Sequence, residues 1–311
     1  MDYSIVIPVY KSGEWIDVLV ERIGATMESI APANYELILV NDCSPDTVTW
    51  LAIKEIAKKY RWVRGFNLLY NVGQYRAIIC GLHQARGRYV ITMDDDLQHP
   101  PEELPKLINK ICEDEDTLCV MGFYEKKKHN LFRNIGSKVY QSINRLYGIP
   151  YKIHTSSFRI IRKELGEALI SYHTAKPHIS ALIVSLTDRI KNVKVRHESR
   201  CYGRSGYKAK ELISITLENL VNASTIPLKV FSMIGLLCTG TSLVLACYFF
   251  IRWMKGEISV IGYTSQILLI LFFGGTTLAG IGILGEYIAR IISEITGPSA
   301  FHIKESTDKN P

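Results

Sequence analysis

The densest chemistry in this 311-residue chain is the run Thr92-Met93-Asp94-Asp95-Asp96-Leu97-Gln98-His99-Pro100-Pro101. Three consecutive carboxylates follow an apolar stretch, and an amide and a proline-started helix come next. In an extended segment alternate side chains point the same way. Asp94 and Asp96 can therefore face one site while Asp95 faces elsewhere. Two carboxylates and the amide oxygen of Gln98 are hard ligands, suited to Mg2+ or Mn2+ bridging a diphosphate. The same residues also read as a solvated acidic turn capping the helix that starts near Pro101. Asp42 opens an Asp-x-Ser-Pro segment, which is also ordinary turn chemistry. Arg133 and Ser137 lie one helical turn apart and share a face. An Arg fork plus a hydroxyl is good phosphate chemistry, and a solvated basic face is the plainer alternative. Arg200, Ser205 and Tyr207 sit on a glycine-containing loop that could close over a diphosphate or an acceptor.

The elements that must position these groups alternate along the first 120 residues. Strand candidates are Ser4–Tyr10, Glu36–Asn41, Val63–Leu69 and Arg88–Met93, with amphipathic stretches such as Trp15–Ile30 and Thr49–Lys59 between them. This alternation predicts a mostly parallel sheet with helices on both faces. In such sheets ligands bind at the carboxyl ends of the strands. Tyr10, Asp42, Ser44, Asn71 and Asp94–Asp96 would gather on that edge. A further strand is expected at Val193–His197, before the polar loop Glu198–Tyr207.

The net charge is +7, compatible with an anionic partner. It is concentrated in residues 124–163, where ten Lys or Arg face one acid, Glu125. For Lys126–Lys128 a solvated face beside anionic lipid headgroups is the preferred reading. The basic stretch lacks a nucleic-acid-binding motif, so no nucleic-acid partner is expected. Seven scattered cysteines without C-x-x-C spacing argue against a disulfide framework or a zinc site and fit a reducing compartment. No signal peptide is read at the start, so the N-terminal domain is expected to stay in the cytoplasm.

From Lys208 to Thr225 the pattern is that of an amphipathic helix, broken by Pro227. Val230–Ile251 and Ile267–Leu284 then run without a charge, long enough to span a bilayer. Buried core helices are the alternative. The expected division is a domain over residues 1–207, a juxtamembrane helix over 208–229, two spans within 230–293 (about 230–253 and 264–288), and a cytoplasmic tail over 294–311. The positive-inside rule puts the basic domain in the cytoplasm, and Arg252 and Lys255 in the linker run mildly against it. Glycines in both runs suit close helix contacts and self-association.

Four segments together carry a resemblance: Ser4-Ile5-Val6-Ile7-Pro8-Val9-Tyr10, Val40-Asn41-Asp42-Cys43-Ser44, Asn71-Val72-Gly73-Gln74 and Asp94–Pro101. They resemble glycosyltransferase family 2 of the GT-A fold, and most of all its polyprenyl-phosphate branch. His197-Glu198-x-Arg200-x-x-Gly203-x-Ser205-x-Tyr207 and Gly285-Glu286-Tyr287-Ile288-x-Arg290 extend the likeness over nearly the whole chain. The resemblance implies a Rossmann-like GT-A domain followed by a juxtamembrane amphipathic helix and a two-helix transmembrane hairpin in the inner (plasma) membrane. It implies that Pro8, Tyr10, Glu14, Asp42 and Gln74 bind the nucleotide, with Asp42 on the base. Asp94, Asp96 and Gln98 would hold the metal, and Arg133, Ser137, Ser205 and Tyr207 the acceptor phosphate. The implied catalytic set is Asp94, Asp95, Asp96 and Arg200, with Asp95 a base or donor-sugar ligand. The implied reaction is an inverting transfer of one sugar from a nucleotide donor, expected to carry uracil, to polyprenyl phosphate in cell-envelope biogenesis, by a homo-oligomer that relatives suggest is a tetramer. Some positions depart from the family pattern. Tyr124 stands where many relatives have an arginine, Ser156 and Ser157 stand where many have an acid, and Gly297-Pro298 replaces a basic Arg-Pro. Transfer to an O-antigen or polysaccharide acceptor and a non-catalytic membrane-bound relative are the rival readings. A processive synthase would normally carry Gln-x-x-Arg-Trp, which does not occur.

Overall fold

The computed structural model describes residues 1–124, 153–172, 179–198 and 301–308, with scattered positions between 244 and 291. The chain divides into two compact units, Met1–Gly206 with Gly297–Pro311, and Tyr207–Thr296. In the first unit, β1 (Tyr3–Val9), α1 (Ile16–Ile30), β2 (Tyr35–Asn41), α2 (Thr47–Lys59), β3 (Val63–Leu68), α3 (Gln74–Gln84) and β4 (Tyr89–Thr92) alternate as the sequence predicts. A 3-10 turn at Pro101–Glu103 leads into α4 (Leu104–Cys112). Then come β5 (Cys119–Phe123), β6 (Arg159–Arg162), α5 (Lys163–Ser171), α6 (Ile179–Leu186), β7 (Ile190–Lys194) and β8 (Ile303–Ser306).

The strands form one sheet in the order β7-β5-β6-β4-β1-β2-β3-β8. β1 pairs parallel with β2 and β4, and β2 pairs parallel with β3. β6 and β8 run antiparallel to their neighbours, so the sheet is mixed. Successive side chains of a strand point to opposite faces. Ile5, Ile7 and Val9 accordingly pack with α1, α2 and α4, while Val6 packs with α3, α5 and α6. Helix α1 shows how the sequence sets this. Ile16, Leu19, Val20, Ile23 and Met27 recur at helical spacing and are its buried residues. Asp46 starts α2 by accepting from the Thr49 amide at 2.8 Å. Helix α3 presses so closely on β1 that a Cβ at Gly81 would run into Val6 Cγ1.

Two expectations need correction. The strand read at Val193–His197 lies earlier, at Ile190–Lys194, where it pairs parallel with β5. The tail, given no structure from its sequence, supplies β8. Leu69 N donates to His302 O at 2.9 Å and Trp50 Nε1 to Glu305 Oε2 at 2.7 Å. At the amino end of the sheet Arg64 Nη1 meets Glu36 Oε2 at 2.9 Å, and Arg64 Nη2 meets Asp308 Oδ2 at 2.7 Å. Glu36 Oε1 also accepts from Ser4 Oγ at 2.6 Å. This polar cluster links β1, β2, β3 and the tail.

In the second unit the described positions from Val244 to Ile291 are helical, apart from a turn at Lys255. Several of their apolar side chains are exposed, among them Val244, Met254, Ile270 and Ile281. No helix among the described residues is long and apolar enough to cross a membrane. The runs Val230–Ile251 and Ile267–Leu284 lie largely outside the described residues, and the amphipathic stretch 208–225 wholly so.

Glu36 has a side chain only 2% exposed, and Arg64 would lose half of its compensation without it. Glu36→Ala is expected to destabilise the first unit by about 3 kcal/mol. Alanine at Lys58, whose pair with Glu55 is exposed, should leave the midpoint unchanged. Denaturant unfolding of the purified protein measures both.

Candidate active site

The strand order places β1 beside both β2 and β4, so the reversal of winding falls between β1 and β4. Ligand crevices of α/β sheets open at such a point. The pairing of β1 with β4 ends at Val6 and Thr92. Beyond it the strands part, which is why Pro8, buried and paired with Val40, is tolerated in a central strand without its N–H.

Four loops meet at this carboxyl edge. After β1, Tyr10 is 46% exposed and Glu14 is exposed. After β4, the three aspartates are each used differently. Asp94 Oδ1 accepts from Gln74 Nε2 at 2.6 Å, and Oδ2 from Ser157 Oγ at 2.7 Å. Asp95 turns back to the β1 loop. Its Oδ2 accepts from Tyr10 N at 3.0 Å and from Ser12 Oγ, and its carbonyl from Trp15 Nε1 at 2.8 Å. Asp96 Oδ1 accepts from the Gln98 amide at 3.1 Å. Asp95 thus takes different partners from Asp94 and Asp96; β4 ends at Thr92, so the separation comes from the loop and not from strand alternation. Burial pushes the Asp95 carboxyl up to about 6, although hydrogen bonds from Ser12 and Tyr10 oppose the shift.

Asp42, 4% exposed, holds the loop after β3. Its oxygens accept from Val72 N at 2.7 Å and Gly73 N at 2.9 Å. Burial raises its carboxyl, against those two backbone bonds. It caps no helix, since that task at α2 falls to Asp46. The bonds fix Gly73 at φ +85° and so set Gln74, the first residue of α3, facing Asp94. Lys11, Cys43 and Leu97 also have left-handed φ values, of 60°, 49° and 62°. Such strain costs about 1–3 kcal/mol per residue and clusters at functional sites. Here one such residue lies in each of the loops after β1, β2 and β4. Lys11 N donates to Ser44 Oγ at 3.0 Å, and Ser44 Oγ donates to Asn41 Oδ1 at 2.6 Å, joining the first two of these loops.

The segment after β7 closes over the aspartate loop. Glu198 N donates to Gln98 O at 3.0 Å. Arg196 Nε reaches Glu103 Oε1 at 2.7 Å, and Arg22 bridges Glu102 and Glu198. His197 stacks on Tyr124 with centroids 4.0 Å apart, and His99 stacks on Phe158 at 5.1 Å. Burial, the largest influence on it, lowers the His99 imidazole pKa. Arg159 is buried behind Asp94. Its Nε donates to Thr92 Oγ1 at 3.2 Å and its Nη1 to Ser180 Oγ at 3.0 Å. Among the described residues no carboxylate lies within ion-pair reach of it.

Of the residues singled out from the sequence, Pro8, Tyr10, Glu14, Asp42, Gln74 and Asp94–Gln98 lie in or beside this crevice. Arg133, Ser137, Arg200, Ser205 and Tyr207 lie outside the described residues. Sequence reading missed Ser12 and Trp15, which fasten Asp95 from 83 and 80 residues away, and the use of Ser157 by Asp94. No three His, Cys, Asp or Glu side chains among the described residues form a ready-made metal cage. Two carboxylates with an amide suit instead an ion that keeps waters and takes substrate phosphates.

The profile of glycosyl transferase family 2 matches residues 4–170, and that of the GtrB C-terminal hairpin matches 226–291. The chain is 30% identical to an undecaprenyl-phosphate 4-deoxy-4-formamido-L-arabinose transferase of Yersinia enterocolitica, over 99% of this chain and 95% of that one. The namesake from Aeromonas hydrophila is 29% identical, over 97% and 93%. Among solved structures, glucosyl-3-phosphoglycerate synthase from Mycobacterium tuberculosis shares the fold. The TM-score is 0.52 at 18% identity, over 71% of this chain and 78% of that one.

Gly73 has open space where a Cβ would stand, so only its backbone conformation is at stake. Gly73→Ala should cost about 1–2 kcal/mol and, on the expectation that Gln74 and Asp42 bind a nucleotide, weaken nucleotide binding, because both depend on that turn. Unfolding midpoints and nucleotide titration read the two effects.

Proposed function

The chain belongs to glycosyltransferase family 2, and from that membership we propose that it transfers one sugar from a nucleotide donor to a polyprenyl phosphate. Undecaprenyl phosphate is the proposed acceptor and a UDP-linked sugar the proposed donor. The observation that carries this reading is the near full-length similarity to undecaprenyl-phosphate sugar transferases, which extends through the hairpin as well as the transferase domain.

The chemistry of the crevice supports it. The nucleophile is a phosphate oxygen, and a phosphate monoester has a second pKa near roughly 6. It needs little help from a base at neutral pH. The tasks left to the protein are alignment and neutralisation. Asp94, Asp96 and Gln98 would hold Mg2+ or Mn2+, which offsets the charge growing on the leaving diphosphate. Gln74 and Ser157 orient Asp94, and Asp95 ties the aspartate loop to the loop that carries Tyr10 and Glu14. Asp42, which holds the turn at Val72 and Gly73, is assigned to the nucleotide base. Arg133, Ser137, Ser205 and Tyr207 are assigned to the acceptor phosphate and Arg200 to the reacting diphosphate. In a single displacement the lipid phosphate oxygen bonds to the anomeric carbon as the bond to the nucleotide diphosphate breaks, so the configuration inverts.

A membrane hairpin also fits the chain path. The end of β7 and the start of β8 both lie on the carboxyl edge of one sheet. The intervening stretch leaves and re-enters the same body, so any bilayer crossings within it must be even in number. With the basic domain on the cytoplasmic side, the site would meet a lipid phosphate at that face.

The reading is tested in detergent with Mn2+ or Mg2+, undecaprenyl phosphate and a panel of nucleotide sugars, followed by mass spectrometry of the lipid. One added sugar unit, only with metal, is the expected result. A lipid that never changes while another acceptor gains the sugar would overturn the acceptor assignment. Asp96→Asn should abolish turnover with folding intact, and near-normal turnover would remove Asp96 from the metal site. Arg133→Ala should raise KM for the lipid phosphate more than for the nucleotide sugar, as initial-rate kinetics would show.

A further inference from the structure

His99 stands one residue from Gln98 and takes no part in the proposed transfer. The residue is 7% exposed and its ring lies flat on Phe158, with 11° between the planes. Among the described residues its Nδ1 is the buried side-chain polar atom that finds no hydrogen-bond partner. Leaving such an atom unsatisfied is costly, so it calls for an explanation. Packing alone does not supply one, because a phenyl ring would fill the same space without the polar atom. The carboxylate oxygen in ion-pair range of Nδ1 among the described residues is Asp94 Oδ2, at 3.9 Å. That is less than 1 Å beyond a hydrogen bond.

Asp94 already has a donor on each oxygen, Gln74 Nε2 on Oδ1 and Ser157 Oγ on Oδ2. Gln74 sits on the exposed start of α3, and Ser157 is only half-buried. His99 is the most buried of the three, stacked on Phe158 and tilted against His197 with centroids 5.8 Å apart. Metal-binding carboxylates are themselves hydrogen-bonded, and such outer partners fix their orientation. We infer that His99 is a positioning residue for Asp94, its Nδ1–H being the outer donor that fixes the carboxylate in its cation-binding orientation. The inference rests on Asp94 being a ligand of the divalent cation. It asks for no change in the charge of the imidazole, only for the tautomer with the proton on Nδ1. Both oxygens of Asp94 can accept more than one bond, so His99 adds to Ser157 rather than displacing it.

The side chains that replace it separate the roles of the two ring nitrogens. In His99→Asn the amide nitrogen stands near the place of Nδ1, in His99→Gln it stands near that of Nε2, and His99→Phe keeps the stack on Phe158 alone. Mn2+ binding to the full-length protein in detergent is measured by electron paramagnetic resonance of free Mn2+, with nucleotide diphosphate present. Unfolding midpoints without metal identify any variant that fails to fold, and the glutamine variant then stands in for the phenylalanine one. The expected result is Mn2+ affinity within about threefold of the parent for His99→Asn, and a loss of about 10–100-fold for His99→Gln and His99→Phe. Parent-like affinity in His99→Phe, or a loss in His99→Asn as large as in His99→Phe, would overturn the inference. A parent protein that binds no Mn2+ would overturn the ligand assignment of Asp94 and this inference together. Parent binding with no response to any His99 substitution would overturn the inference alone.

Discussion

Two unit charges about 4 Å apart repel by about 4 kcal/mol at an effective dielectric near 20, and this chain places three carboxylates in succession at the end of one short strand. Such a segment holds its shape only if each charge has its own donors. The crevice is arranged around that requirement. Asp95 is turned back into the β1 loop, where Tyr10 N, Ser12 Oγ and Trp15 Nε1 secure it and its backbone. Asp94 is shared between α3 and the segment before β6 through Gln74 and Ser157. Asp96 closes on the amide of Gln98. Satisfying the charges therefore draws the loops after β1, β3 and β4 and the approach to β6 into one place.

The buried guanidinium of Arg159 extends the same logic. It stands behind Asp94 and reaches it through neutral groups. Nε bonds Thr92 Oγ1, Thr92 Oγ1 bonds Ser157 O, and Ser157 Oγ bonds Asp94. A positive charge set behind three acids partly offsets their repulsion without occupying the space where a cation and a diphosphate would sit. A salt bridge made directly to Asp94 would instead occupy one of its oxygens.

The opposite edge of the sheet bears the mechanical load. There Arg64, Glu36, Ser4 and Asp308 join three parallel strands to a segment from the far end of the chain. Strand β8 covers what would otherwise be the open edge of β3, a position prone to mispairing. Left-handed conformations occur at both ends of the sheet, at Ala33 before β2 and at Lys11, Cys43 and Leu97 beside the crevice.

The sequence by itself determined the alternating strands and helices of the first 120 residues, because a period of two or 3.6 in apolar residues reports which face of an element is buried. It also displayed the carboxylate run itself, but β4 ends at Thr92 and the three aspartates lie in the loop beyond it, so the direction of each was set by its donors and not by strand alternation. Periodicity could not place β8, whose exposed residues Lys304–Ser306 follow no apolar pattern, and it set β7 late because this lateral strand is only half-buried. What Asp42, Ser12, Ser157 and His99 touch was decided only by tertiary structure. Asp42 reads locally as a turn residue, yet its oxygens go to amides thirty positions away, and Ser12 answers Asp95 across 83 residues. A hydrogen bond between distant segments leaves no mark on either one. It exists only once packing of the sheet has brought the strand ends together.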